Sequence, residues 1–135
     1  TNTVSYGASS DYRLKENVTD VSNAINTLKT LKPKTYNFIS DPDNTPEDGF
    51  LAHELAAVVP NAVTGEKDAM TEAVLYVEDD EIPDGKKVGD VKIESKINPQ
   101  QVDYGKLTPI LTAALQEAIA EIETLKTKVA ALEGE

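Results

Sequence analysis

The sequence contains no cysteine and no tryptophan, only one histidine, and few aromatic residues, 5% in all. The absence of cysteine excludes disulfides, thiolate catalysis and cysteine-based zinc sites. A single histidine argues against a conventional zinc enzyme, so we predict neither a metal nor a cofactor. No apolar run reaches the roughly 18 residues that a membrane span needs. The first residues, TNTVSYGASS, lack the basic and apolar regions of a signal peptide, and we interpret them as the end of an upstream segment.

The charge of the chain is strongly of one sign. The formal net charge is −11 and the pI is about 4.5, and the acidic residues are spread along the sequence. Nucleic acids and anionic membranes both need clustered Lys and Arg, so we expect neither as a partner. The length of 135 residues fits one domain. With 39% hydrophobic residues, the core should be modest and aliphatic, and self-association could supplement it.

The pattern of apolar and turn-forming residues predicts an α+β fold with a small antiparallel sheet, short helices and a long C-terminal helix. The first helix is predicted over 20–31, with Thr19 or Asp20 as its cap and Pro33 after its end. The following segments are predicted in chain order as a strand over 34–39, a loop over 40–49, a buried strand over 49–52 and a helix over 53–60. Residues 66–98 predict a β-hairpin insertion with strands over 73–79 and 88–97.

The C-terminal helix, predicted over 107–134, has the heptad repeat of a coiled coil. Apolar residues recur at heptad positions a and d, as a supercoiled seam requires. The seam consists of Leu115, Ile122 and Val129 at a, and of Leu111, Ala118, Leu125 and Leu132 at d. Glu121 at g would face Lys126 at e of a parallel neighbour, and Lys128 would face Glu133. The heptads favour parallel self-association without deciding between a dimer and a trimer; a helix packed on its own domain is the alternative.

One constellation near the N-terminus can carry chemistry, Ser10-Asp11-Tyr12-Arg13-Leu14-Lys15. A serine hydroxyl becomes a good nucleophile only when a base takes its proton, and a neutral lysine amine can be that base. Burial, or a nearby cation such as Arg13, favours the neutral amine. If the chain turns after Ser10, the spacing brings Lys15 back to the hydroxyl. The spacing alone is common, and a capping serine beside a solvated lysine is the alternative interpretation.

Four segments, in this order, resemble one known family. They are SDYRLKENV (10–18), LKTLKPKTYNF (28–38), DGFLAHELAAVVPNAV (48–63) and VDYGKLTPILTAALQE (102–117). Together they resemble peptidase family S74, the intramolecular chaperone domains that follow phage endosialidases, tailspikes and tail fibres. The resemblance implies that residues 1–9 end an upstream stalk and that 10–135 form the chaperone. The hairpin over 66–98 lies outside the recognised pattern.

The resemblance implies a chain that trimerises, folds the β-rich stalk ahead of it, and then cuts itself off once as a serine endopeptidase. The bond would be Ser9–Ser10, with Ser10 as the nucleophile and Lys15 as the base. An ester with a free Ser10 amine would form, and water would then release the upstream protein. We expect trimerisation to complete this site by burying the lysine.

Three further residues are assigned supporting roles on the same resemblance. His53 would act as a hydrogen-bond donor or orienting group, with helix capping as the alternative. Arg13 would tune Lys15 or tie subunits together, and Asp11 would hold one of the cations. For Asp11 and Arg13, a purely structural ion pair is the alternative.

The expected partners are two further copies of the chain, in a homotrimer, and the upstream fibre or spike region of the same chain. We expect no nucleic acid, membrane or small-molecule substrate. The resemblance places the protein in the host bacterial cytoplasm during virion assembly, with release from the mature fibre. Two alternatives stay open, a trimerisation module without proteolysis and a receptor-binding tip that stays on the fibre. An enzyme acting on outside substrates has no support in the sequence.

Overall fold

The computed structural model describes residues 9–134, so residues 1–8, which include most of the predicted stalk end, lie outside the described part. The predicted α+β class is confirmed, with small antiparallel sheets and a long C-terminal helix. In chain order the helices and strands are α1 (Ala24–Thr30), β1 (Lys34–Tyr36), β2 (Glu47–Gly49), α2 (Ala52–Ala56), β3 (Val63–Thr64), β4 (Val74–Leu75), β5 (Val91–Ile93), β6 (Gln101–Val102) and α3 (Thr108–Glu133). Short 3₁₀ turns cover Tyr12–Leu14, Pro60–Ala62 and Tyr104–Leu107.

The strands form three separate antiparallel pairs instead of the single small sheet that we predicted. β1 pairs with β2, and β4 pairs with β5 across a bulge. The second pair lies within the two predicted hairpin strands, 73–79 and 88–97, but is shorter than the sequence pattern indicated. β3 pairs with β6, with Val63 opposite Val102. Because the two strands lie on either side of residues 66–98 in the sequence, their pairing brings the ends of this segment together.

The predicted strand over 49–52 is wrong. The strand is β2, which lies inside the predicted loop, and α2 begins at Ala52. The reason lies at Gly49, where an added Cβ would collide with the hydroxyl groups of Tyr36 and Tyr104. The absence of a side chain at Gly49 lets these rings approach the backbone, and Phe50 N–H donates to Tyr104 Oη at 3.3 Å. This close approach places β2 at residues 47–49, before the apolar residues 50–52 that the sequence predicted as the strand.

The first helix begins four residues later than predicted, because its cap comes from elsewhere in the chain. Asn23 has a left-handed φ of 57° and makes no side-chain cap hydrogen bond. The backbone N–H groups of Ala24 and Ile25 instead donate to the carboxylate of Glu117 on α3, each at 2.9 Å. Thr19 and Asp20 are therefore not the cap. This contact joins the start of α1 to α3 across 93 positions of sequence.

The core is small and aliphatic, as predicted. It consists of Leu55, Val59, Ala62 and Leu107, with partly buried apolar residues packed against it. The accessible surface is 11,571 Å² for a chain of 14.6 kDa. A compact monomer of this mass exposes about 6,900 Å². The single chain thus exposes far more surface than a self-sufficient globular domain.

The C-terminal helix α3 contributes to this exposed surface, and its bounds match the predicted helix closely. Its first half packs against α1, with Ala24 and Ala114 buried. From residue 119 to 134 every described residue is exposed. Among the seam residues, the exposed fraction runs from 48% at Leu111 to 71% at Leu132, while Ala118 is half-buried. No described helix has the combination of length and apolarity that a bilayer span requires. The coiled coil itself stays a prediction, because it depends on other copies of the chain.

Candidate active site

The motif after Ser9 folds into a local turn that Asp11 caps. The backbone of Asp11 is extended, and its carboxylate accepts a hydrogen bond from Arg13 N–H at 2.9 Å. Leu14 N–H then donates to the Asp11 carbonyl and Lys15 N–H to the Tyr12 carbonyl, both at 3.1 Å. These bonds close the 3₁₀ turn and reverse the chain between Ser10 and Lys15.

The turn brings the two predicted catalytic side chains together. Lys15 Nζ donates a hydrogen bond to Ser10 Oγ at 2.7 Å. At this distance a proton can pass from the hydroxyl to a neutral amine without movement of either heavy atom. The geometry is therefore that of a nucleophile beside its base. Their catalytic roles stay a prediction at this point.

Arg13 and Asp11 form a forked ion pair next to these residues. Arg13 Nε donates to one carboxylate oxygen at 3.0 Å and Nη2 to the other at 2.8 Å. The guanidinium hydrogen bond, followed by that from the Arg13 backbone, lowers the pKa of Asp11, and the carboxylate raises the pKa of Arg13. Because the guanidinium charge is paired, its field on a neighbouring amine is reduced. The arrangement agrees with the structural ion pair that was the alternative for both residues.

His53 occupies a different setting from the other predicted site residues. It lies on α2 and lines a cavity of about 450 Å³ together with Glu66–Met70 and Ile97–Gln100. Neither Ser10 nor Lys15 lines this cavity, and within the described chain no hydrogen bond links His53 to either of them. The single chain thus unites Ser10, Asp11, Arg13 and Lys15 and leaves the supporting role of His53 a prediction.

The Ser10–Lys15 pair is open to solvent in the single chain. All residues from 9 to 23 are exposed, including the apolar side chains of Tyr12 at 81%, Leu14 at 74% and Val18 at 77%. Residues 9–134 therefore leave the pair without a dry environment. Among residues 9–134, no group of three or more His, Asp and Glu side chains is arranged to hold a metal ion.

Sequence reasoning missed Glu117, which connects α3 to the segment that follows the motif. Its pKa is lowered by the hydrogen bond from Ile25 N–H and then by that from Ala24 N–H. The available signal was its place on the helix. Ile110, Ala113, Ala114 and Glu117 follow the i, i+3, i+4, i+7 spacing of the face that turns towards the domain. A carboxylate on such a face needs hydrogen-bond donors, and the start of a helix provides them.

Comparison with known families agrees with the resemblance drawn from the sequence. Residues 10–64 match the family Peptidase_S74, which is described as the chaperone of endosialidase. The match begins at Ser10 and includes the turn, α1, the β1–β2 pair and α2. This match confirms the resemblance over residues 10–64. No curated protein matches the chain.

Proposed function

We propose that this chain is an intramolecular chaperone that assembles as a trimer, helps an upstream phage fibre or spike region to fold, and then severs itself at the Ser9–Ser10 bond. The observation that carries the proposal is the 2.7 Å hydrogen bond between Lys15 Nζ and Ser10 Oγ. The family match begins at the same serine. A nucleophile at the first residue of the matched region suits a reaction that releases this region.

The proposed cleavage proceeds in two steps. The neutral amine of Lys15 takes the hydroxyl proton while Ser10 Oγ attacks the carbonyl carbon of Ser9. The Ser9–Ser10 amide bond breaks, an ester to Oγ forms, and the Ser10 nitrogen leaves as a free amine after gaining a proton. Water then hydrolyses the ester, which leaves a carboxylate on Ser9 and restores the Ser10 hydroxyl. The net reaction consumes one water molecule.

Assembly supplies what the single chain lacks for this reaction. The Ser10–Lys15 pair is exposed, and the neutral amine needs a desolvated setting. The excess surface and the apolar stripe of α3 support burial by further copies. In this proposal cleavage waits for assembly, because only the assembled chains hold the lysine in a dry site. A monomeric variant that cleaves at the wild-type rate would contradict this coupling.

A single cut suits a device for folding a β-rich stalk. Long-range β pairing is slow and exposes aggregation-prone edges. A C-terminal clamp that holds three chains in register raises their local concentration and shortens the search. Cleavage after folding removes the clamp, so the stalk is trapped kinetically in its folded state.

The test is mass spectrometry of the chain with a folded reporter protein fused ahead of Thr1. We expect two fragments that meet at Ser9–Ser10 in the wild type and an intact chain for Ser10→Ala and Lys15→Ala. Lys15→Arg should also stay intact, since arginine keeps the charge and the donor but cannot accept a proton. Ser9→Ala and Lys29→Ala are the matched controls, and both should cleave. Uncut wild-type protein, or cleavage that survives Ser10→Ala, would contradict the proposal.

The second candidate is a trimerisation module that never cleaves, as a permanent clamp or as a retained fibre tip. The exposed apolar side chains on the free half of α3 favour it independently of the dyad. In the same experiment, this candidate predicts an assembled but intact wild type. The mass of the particle and the masses of its chains therefore separate the two functions.

A further inference from the structure

We propose that Asp11 is a positioning residue for the self-cleavage: its carboxylate caps the 3₁₀ turn that returns Lys15 to Ser10, and the fork of Arg13 locks that carboxylate in place. The inference rests on the proposed function. From the sequence we expect Asp11 only to hold a cation. Here Asp11 caps the 3₁₀ turn, and the ion pair with Arg13 keeps the Asp11 side chain in place.

The hydrogen bonds of the turn converge on Asp11. One carboxylate oxygen accepts from both the backbone N–H and Nε of Arg13, and the other accepts from Nη2. The Asp11 carbonyl accepts from Leu14 N–H. Asp11 thus contacts both the backbone and the side chain of Arg13, and one residue fixes the start of the turn.

Within the described residues no packing holds the turn, because its side chains are exposed. The Asp11 cap is therefore the local interaction that keeps Ser10 and Lys15 in contact in this exposed segment. Lys15 leaves the turn with an extended backbone at φ −122° and ψ 146°, which directs its long side chain back along the motif to Ser10 Oγ. Without the cap, the pair would sample open arrangements, and misplacement by about 1 Å can slow a reaction by about 100-fold.

The test compares first-order cleavage rates of the assembled reporter fusion. Asp11→Ala should cleave at least about tenfold more slowly than the wild type. Asp11→Asn and Asp11→Ser keep a capping oxygen and should recover part of that rate, because Asn, Asp and Ser are comparable caps but neither variant keeps the charged fork to Arg13. The matched control is Asp20→Ala, which removes an exposed acid outside the motif and should cleave like the wild type.

The asparagine variant separates positioning from tuning by charge. Asp11→Ala and Asp11→Asn remove the same charge, but only Asp11→Asn keeps a capping oxygen, so positioning predicts that Asp11→Asn cleaves faster than Asp11→Ala at every pH. Equal losses of rate in the two variants would overturn the inference in favour of charge tuning. An unchanged rate in Asp11→Ala would overturn it outright while leaving the Ser10–Lys15 reaction intact. A wild type that does not cleave would overturn both proposals.

Discussion

Replacing Leu125 by alanine tests the proposed assembly through α3. Leu125 is a d residue of the predicted seam and is 58% exposed in the single chain. The change removes three carbons, whose complete burial is worth about 2.4 kcal/mol. Since 58% of the side chain remains to be covered, association should lose about 1.4 kcal/mol per chain, or about tenfold in the equilibrium constant. Leucine and alanine are both strong helix formers, so the helix itself should persist.

In a trimer the three losses combine to about 1,000-fold in the overall constant. The midpoint concentration varies as the square root of that constant, so it should rise about 30-fold. Sedimentation equilibrium over a range of concentrations measures this shift. Thr127→Ala, on the outer face of the same helix, is the matched control and should leave the midpoint unchanged. Equal midpoints for Leu125→Ala and the wild type, or a wild type that is monomeric throughout, would refute the seam.

Three further predictions follow from the contacts between elements. Glu117→Gln should destabilise the chain by removing the charged cap of α1. Because folding lowers the pKa of Glu117, the difference in stability between the wild type and the variant should be full above the ordinary pKa of 4.5 and should shrink as the pH falls below it. Urea denaturation at several pH values measures this difference. Gly49→Ala should cost about 1–3 kcal/mol through collision with the two tyrosine hydroxyls, whereas Gly134→Ala at the end of α3 should be neutral in the same denaturation assay. Leu55→Ala should cost about 2–5 kcal/mol because this side chain is fully buried, and a loss of less than about 1 kcal/mol would show that the assigned core is wrong.

The features that the sequence predicted well depend on local patterns. The bounds of α3 follow from a run of good helix formers and a heptad repeat that need no distant partner. The contact between Ser10 and Lys15 was predictable for the same reason, because a turn of five residues is closed by its own hydrogen bonds.

The features that the sequence did not predict depend on residues far apart in the chain. The position of β2 was predicted wrongly because it depends on the contact between Gly49 and Tyr104. The pairing of β3 with β6 was not predicted, because it joins only two residues of each strand. The start of α1 was misplaced because Glu117, a carboxylate on a distant helix, replaces the expected cap. Strands this short have too little periodicity to predict their register.

The most direct test of the proposed reaction is to let the wild-type fusion assemble in the presence of hydroxylamine and to identify both new chain ends by mass spectrometry. An ester at Ser10 Oγ is open to attack by this nucleophile, whereas a peptide bond under the same mild conditions is not. The proposal predicts an upstream fragment that ends at Ser9 as a hydroxamate and a downstream fragment that begins with a free Ser10 amine. An assembled chain that stays intact, or one that is cut at another bond, would contradict it.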